Sequence, residues 1–175
     1  MVRWLRWFWI VVWTGTLSAQ GVDSTLQQLL QQVQSDTVAS YILRLSAFGT
    51  RAYTSDSVQA ARAWILQQFA LRMDTTFEQV FFYNNTQQAN VIARKMGSNP
   101  ALPRLVVGAH YDDRPYTGPA PGADDNASGV ALLLSLADLL SRVQLERTVE
   151  LVAFAAEEPG FGGSTHYADR LQNLN

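Results

Sequence analysis

The sequence predicts an α/β fold with a mixed, largely parallel central sheet, and the observations that predict it lie in the second half of the chain. Two apolar runs, LVVGA from Leu105 to Ala109 and TVELVAFAA from Thr148 to Ala156, lack polar alternation, as buried parallel strands do. An almost wholly apolar helix is predicted between them, over Ser128 to Val143, and a further helix over Ser164 to Leu171. Alternating strands and helices are typical of a parallel core, so we expect the first run to form a central strand.

The N-terminus is predicted to be a secretory signal peptide of residues 1–20. Arg3 and Arg6 form a positive region, Trp7 to Trp13 a short apolar run, and TGTLSA a small-residue end. The apolar run is short for a membrane span, although a retained membrane anchor is the alternative. The protein is therefore expected to be secreted or periplasmic, without stable membrane association.

Three helices are predicted next. Apolar residues recur at helical spacing in TLQQLLQQVQ, from Val38 to Leu45, and from Ser57 to Arg72. Ser55 or Ser57 is placed to cap the third helix, because serine hydroxyls accept hydrogen bonds from free N–H groups at helix starts.

A β-hairpin is predicted before the parallel core. Thr76 to Tyr83 and Ala89 to Lys95 have strand-like sequences, and Asn84-Asn85-Thr86 between them is typical of a turn. The hairpin would add antiparallel edge strands to the sheet.

Composition limits the chemistry. None of the 175 residues is cysteine, so the chain forms no disulfide and any metal ion must be held by His, Asp or Glu. The formal net charge of -2 gives no basic footprint for nucleic acid, and no nucleic-acid partner is expected.

Polar residues with metal-binding chemistry follow both predicted core strands. An open α/β sheet binds its ligands at the carboxyl ends of its strands, so these residues are expected to meet there. A histidine together with carboxylates makes an N/O site suited to zinc. The candidates are His110, Asp112, Asp113, Asp124, Asp125, Glu157 and Glu158.

Each of these pieces has a plainer interpretation when taken alone. A histidine after a strand is usually a satisfied polar residue, acids before a helix are usually caps, and glutamates at a strand end are usually solvated. The coincidence of all three at strand ends of one sheet favours the metal site.

His110 and Asp112 are two residues apart. Side chains at that spacing point to the same side if the strand geometry persists. The Asp112 carboxylate is then expected to accept a hydrogen bond from the ring nitrogen of His110 that does not bind metal.

The motifs HYDD, PGADDNASG and AFAAEEPGFGGSTHYA, with FGTRAYTSDS and NVIARKMG upstream, resemble the co-catalytic di-zinc aminopeptidases of metallopeptidase family 28. The resemblance covers about Leu45 to Ala168 and is to the bacterial leucyl aminopeptidase type. It implies a three-layer α/β/α sandwich of the zinc-exopeptidase kind, two zinc ions, and peptides as substrates.

The resemblance also implies a role for each site residue. His110 and Glu158 match zinc ligands, and Asp125 matches the aspartate that bridges both ions. Glu157 matches the general base that takes a proton from a metal-activated water, and Asp112 matches the catalytic-site aspartate beside the histidine ligand. In the family the peptide bond after the bridging aspartate is often cis.

The family completes its two zinc ions with one more Asp and one more His further along the sequence. The sequence ends at Asn175, and His166 is expected to be a helix-surface residue and not a ligand. Residues 21–175 are therefore expected to be the N-terminal part of a catalytic domain, inactive by itself.

Two alternatives remain open. A glutaminyl cyclase-like acyltransferase would use the same His, Asp and Glu set with a single zinc ion, although PGADDNASG and EEPGFGGS favour the peptidase. A non-catalytic interaction domain of the peptidase fold would have lost ligands, and the retained Glu157 argues against it. Residue preference and oligomeric state are not predicted.

Overall fold

The structure, a computed structural model, describes residues 24–115 and 118–173. The predicted signal peptide lies outside these residues. The helices are α1 (Ser24–Leu30), α2 (Ser35–Ser46), α3 (Asp56–Ala70), α4 (Ser128–Leu140) and α5 (Gly162–Gln172). The strands are β1 (Thr75–Tyr83), β2 (Thr86–Lys95), β3 (Leu105–His110) and β4 (Val149–Phe154).

The predicted helices are present with ends shifted by a few residues. Helix α3 starts at Asp56, and the Ser55 hydroxyl accepts the main-chain N–H of Val58 at 3.2 Å, so Ser55 is its cap. Helix α4 ends at Leu140, three residues before the predicted Val143.

The predicted hairpin is confirmed. β1 and β2 pair antiparallel, with Tyr83 opposite Thr86. Asn84 and Asn85 form the two-residue turn with φ of 46° and 59°, a conformation that asparagine tolerates better than most residues. The second strand starts at Thr86 instead of Ala89, because the turn is this short.

The sheet is mixed, with strand order β1-β2-β4-β3. β3 and β4 run parallel, as the alternation of strands and helices predicted. β2 pairs antiparallel with both β1 and β4. A largely parallel sheet was expected, but among the described strands only β3 and β4 pair in parallel.

β3 was expected to be a central strand, and in the described sheet it lies at the edge, beside β4. Leu105 is 50% exposed and Val106 is 38% exposed. The central strands are β2 and β4, which are buried over most of their length. An apolar run indicates burial against helices but does not fix which strands lie on either side.

Helices cover both faces of the sheet, which gives the expected three layers. Val91, Leu151 and Ala153 pack in the main core with helices α2, α3 and α4. On the opposite face, Ile92 and Val152 pack against α5 through Tyr167 and Leu171. Within the described ranges, the helices are all too short or too polar to cross a membrane.

Candidate metal centre

The candidate site lies where β3 and β4 end. These strands are parallel and His110, the last residue of β3, pairs with Phe154, the last residue of β4. Glu157 and Glu158 follow in the turn after β4, in which Ala156 has a φ of 53°. The strand has therefore ended before the two glutamates, and both side chains reach the same edge of the sheet.

The His110 ring nitrogen Nε2 is surrounded by carboxylates. It lies 3.1 Å from Asp125 Oδ1 and 3.9 Å from Glu157 Oε2. One ligand atom each from His110, Glu157 and Glu158 lie within 4.8 Å of one another. Two elements distant in sequence, the turn before α4 and the turn after β4, thus meet at one imidazole.

Asp125 is brought there by the segment Ala123–Ala127, which is irregular in its middle. Asp125 has φ −118° and ψ 93°, and the Asp125–Asn126 peptide bond is cis, as the family resemblance implies. The Asn126 amide oxygen accepts the N–H of Gly129 at 2.8 Å in the first turn of α4. The side chain of Asn126 therefore bonds to the start of the helix, while Asp125 turns toward His110.

Asp112 contacts its neighbours differently from the prediction. Its Oδ1 lies 3.8 Å from His110 Nδ1, beyond hydrogen-bond distance, and the main-chain oxygen of Asp112 lies nearer, at 3.1 Å. The expected carboxylate–imidazole hydrogen bond is thus replaced by one to the backbone carbonyl, because the carboxylate is turned toward the glutamates. It accepts the main-chain N–H of Glu157 at 3.0 Å and that of Glu158 at 3.2 Å.

The hydrogen bond between His110 Nδ1 and the Asp112 carbonyl determines which ring nitrogen of a neutral His110 carries the proton. A carbonyl only accepts, so we assign the proton of a neutral ring to Nδ1. Nε2, which lies on the side of Asp125 and Glu157, is then the ring nitrogen available to bind a metal ion. This is the tautomer that a metal-binding histidine needs.

The Glu157–Glu158 turn is also anchored from the sheet. Asn90, fully buried in β2, accepts the N–H of Ala155 at 3.0 Å and donates to the carbonyl of Gly163 at 2.8 Å. The Tyr83 hydroxyl donates to the carbonyl of Pro159 at 2.9 Å. Side chains of the β1–β2 hairpin therefore hydrogen-bond to the turn at both of its ends and in its middle.

A buried ion pair lies beneath the site. Arg51 and Asp113 are 0% and 2% exposed, and Arg51 Nη1 is 3.4 Å from Asp113 Oδ2. Burial lowers the pKa of Arg51 and raises that of Asp113, and each partner's charge opposes the shift of the other. Asp113 is thus part of the support of the site, and the charges of Asp125 and His110 also act on the pKa of its carboxyl.

The charges at the site favour a bound cation. Burial raises the pKa of the Glu158 carboxyl, and the charges of Asp125 and Glu157 raise it further. Burial also raises the pKa of Asp112, against the lowering effect of its two N–H donors. A cation beside such crowded carboxylates would favour their ionised forms. The donors are one imidazole nitrogen and carboxylate oxygens, a set that fits zinc.

A cavity of about 350 Å³ adjoins the cluster on the side of Glu158. Tyr53, Pro115 and Pro159 give it apolar walls, and Asp113, Arg114 and Glu158 also line it. A molecule held at the carboxylates thus has room for a side group next to Glu158.

The structure brings together five of the predicted residues: His110, Asp112, Asp125, Glu157 and Glu158. Asp124 lies exposed beside them, and its carbonyl accepts the Ser128 hydroxyl at 2.7 Å. His166 lies in α5, outside the cluster, with its ring stacked on Phe81 at a centroid distance of 4.9 Å.

Sequence reasoning missed Arg51 and Asn90 as residues that support the site. Arg51 lies in FGTRAYTSDS and Asn90 opens NVIARKMG, and neither residue was singled out within these stretches. Their partners at the site, Tyr111 for Arg51 and Ala155 for Asn90, are 60 and 65 residues away along the chain, so no local pattern could have revealed their roles.

Comparison with known proteins gives a consistent result. The sequence profile of peptidase family M28 matches residues 90–175. A probable zinc metalloprotease of Pyrenophora teres f. teres (strain 0-1) is 32% identical over 187 residues, covering 91% of this chain and 40% of the relative. Aminopeptidase YwaD of Bacillus subtilis (strain 168) is 40% identical over 99 residues, covering 56% of this chain and 21% of the relative. The chain thus spans about two fifths of the curated metalloprotease.

Solved structures share the fold. LapB from Legionella pneumophila superposes with a TM-score of 0.77 at 26% identity, covering 87% of this chain and 43% of LapB. A glutaminyl cyclase from Fimbriiglobus ruber superposes with a TM-score of 0.71 at 24% identity, covering 79% of this chain and 55% of the cyclase.

Proposed function

This chain belongs to peptidase family M28, and on that premise we propose that the complete protein is a zinc-dependent aminopeptidase that removes N-terminal residues from peptides. The observation that carries the proposal is the meeting of His110, Asp125, Glu157 and Glu158 at one edge of the sheet. The similarity to aminopeptidase YwaD supports the choice of reaction.

We assign His110, Asp125 and Glu158 as the residues that would hold zinc, and Asp125 as the residue that would serve both ions if two are bound. The 3.1 Å approach of Asp125 to His110 Nε2 supports a shared role, because the carboxylate has a second oxygen for a second partner. Burial, and after it the charges of Asp125 and Glu157, raise the pKa of the Glu158 carboxyl, and a cation bound there would offset these effects, which supports its place as a ligand.

Glu157 is assigned as the general base. When bound, zinc acts as a Lewis acid and brings the pKa of a coordinated water to about 7. Glu157 then accepts the proton of the attacking water and donates it to the leaving amine of the peptide. The hydrogen bond from the Glu157 main-chain N–H to the Asp112 carboxylate fixes the backbone at Glu157. The Glu157 carboxylate would thereby be held toward the reacting atoms.

The substrate would lie across the carboxylates with a side group in the cavity next to Glu158. The cavity walls at Tyr53 and Pro159 fit an apolar group, although Asp113, Arg114 and Glu158 also line the cavity. We also propose that the whole protein is exported, because residues 1–20 carry the positive and apolar segments of a signal peptide.

The test is a metal and activity measurement on the product of the complete reading frame. We expect the purified protein to bind zinc, to lose activity with a chelator, and to recover it with zinc on a panel of aminoacyl-anilides. A protein that neither binds zinc nor releases N-terminal residues would contradict the proposal.

A glutaminyl cyclase-like reaction is the second candidate, favoured by the shared fold with the Fimbriiglobus ruber enzyme. The same preparation should be incubated with a peptide that begins with glutamine. Formation of pyroglutamate without release of the first residue would select the cyclase, whereas free glutamine would select the peptidase.

A further inference from the structure

The Arg51 side chain donates four hydrogen bonds to main-chain carbonyls at and near the candidate site. Its Nε donates to the carbonyl of Tyr111 at 2.9 Å. Its Nη1 donates to the carbonyls of Leu45 at 2.9 Å and Pro121 at 2.8 Å, and its Nη2 to that of Gly122 at 3.0 Å. One buried guanidinium thus joins three segments of the chain.

Two of these segments adjoin His110 and Asp125, the residues that face each other at the candidate metal centre. Tyr111 directly follows His110 at the end of β3. Gly122 directly precedes the Ala123–Ala127 segment that carries Asp125, and its carbonyl also accepts the N–H of Ala127 at 2.9 Å. The side chains of His110 and Asp125 approach to 3.1 Å, while Arg51 holds the backbone beside each of them.

Asp113 fixes Arg51 in turn. The Arg51 main-chain N–H donates to Asp113 Oδ1 at 2.8 Å, and the Asp113 N–H donates to the Arg51 carbonyl at 3.3 Å. Packing around the pair is close: a Cβ added at Gly122, which has a φ of 50°, would lie 2.6 Å from Arg51 Nη2 and 2.7 Å from Asp113 Cβ. The guanidinium therefore has little freedom to move, and neither has the loop that it holds.

We infer that Arg51 is a positioning residue that sets the approach of Asp125 to His110 at the candidate metal centre. The inference rests on the proposed zinc site. A buried guanidinium offers five N–H donors in a fixed plane, and here that plane spans the strand end and the loop. Lysine has one nitrogen with three donors, so it cannot hold both segments at the same distance.

The test is Arg51→Lys in the product of the complete reading frame, measured by zinc affinity against a competing chelator and by thermal unfolding of the metal-free protein. We expect zinc affinity to fall by about 10–100-fold, the range found when groups that orient metal ligands are removed. Asp113→Asn should shift zinc affinity in the same direction and by less, and it decides the question if Arg51→Lys does not fold.

Arg72→Lys and Asp138→Asn are the matched controls. Arg72 also donates to several acceptors, among them Asp138 at 2.5 Å, the Gln68 carbonyl at 2.8 Å and the Tyr41 hydroxyl at 2.8 Å. None of these acceptors belongs to the site. We expect the controls to lower thermal stability without changing zinc affinity.

Three outcomes in the variants would overturn the inference alone. Arg51→Lys with reduced stability but wild-type zinc affinity would show a merely structural role, as would equal loss of zinc affinity in Arg72→Lys. If Arg51→Lys does not fold, unchanged zinc affinity in Asp113→Asn would do the same. A wild-type protein that binds no zinc would instead contradict the proposed function, and the inference with it.

Discussion

The carboxylate of Asp112 accepts the main-chain N–H of Glu157 at 3.0 Å. Asp112 thereby links the loop after β3 to the turn after β4, and it holds His110 through its own carbonyl at 3.1 Å. One residue thus fixes both the imidazole and the glutamates, although the predicted bond from its carboxylate to the imidazole is not formed.

Asp112→Asn is expected to weaken zinc binding and turnover together. The asparagine side chain has one carbonyl oxygen, so it can accept a hydrogen bond from the N–H of Glu157 or from that of Glu158, but not from both. Its NH₂ group then faces the other N–H. Loss of such an orienting group typically reduces metal affinity or activity by about 10–100-fold. Zinc titration and anilide hydrolysis check this. Full activity in Asp112→Asn would mean that the turn holds its shape without the carboxylate.

Asp125 and Asp124 are neighbours with different expected roles. Asp125→Asn should lower zinc affinity at least about tenfold, since its carboxylate lies 3.1 Å from His110 Nε2. Asp124→Asn is the matched control and should leave zinc affinity unchanged, because Asp125 and not Asp124 contacts His110 Nε2. The measurement is zinc content after dialysis against a weak chelator. The reverse result would show that the bridging residue has been assigned one position too late.

Asn90→Ala is expected to reduce the free energy of unfolding by about 2–4 kcal/mol, because it leaves the buried N–H of Ala155 and the carbonyl of Gly163 without their partner. Urea unfolding of the metal-free protein measures the change. Gln79→Ala is the control, since it removes only the 2.8 Å bond that Asn90 donates to the Gln79 amide oxygen. Equal losses in both variants would argue against the anchoring role of Asn90.

Much of the fold was predictable because its signals are local. The Asn84-Asn85 turn, the Ser55 cap and the apolar helix α4 each depend on residues close together in sequence. The order of the strands depends on long-range packing, and for this reason the edge position of β3 in the described sheet was not predicted.

The candidate site divides in the same way. His110, Asp125, Glu157 and Glu158 were identifiable because strand ends and motifs mark them, and the structure brings them together. The contacts of Arg51 with Asp113 and of Asn90 with Ala155 join residues 62 and 65 positions apart. Only the folded chain reveals these supports, because any polar residue of the sequence could have made them.

The central claim is that the cluster holds zinc and that Glu157 supplies the base, and one comparison tests it most directly. Glu157→Gln and Glu158→Gln should be made in the product of the complete reading frame, with zinc content and hydrolysis of an aminoacyl-anilide measured side by side. We predict that Glu157→Gln retains zinc but loses about 10²–10⁴-fold in rate, because only proton transfer is removed. Glu158→Gln should lose zinc itself. Equal loss of zinc in both variants, or full activity in Glu157→Gln, would contradict the account.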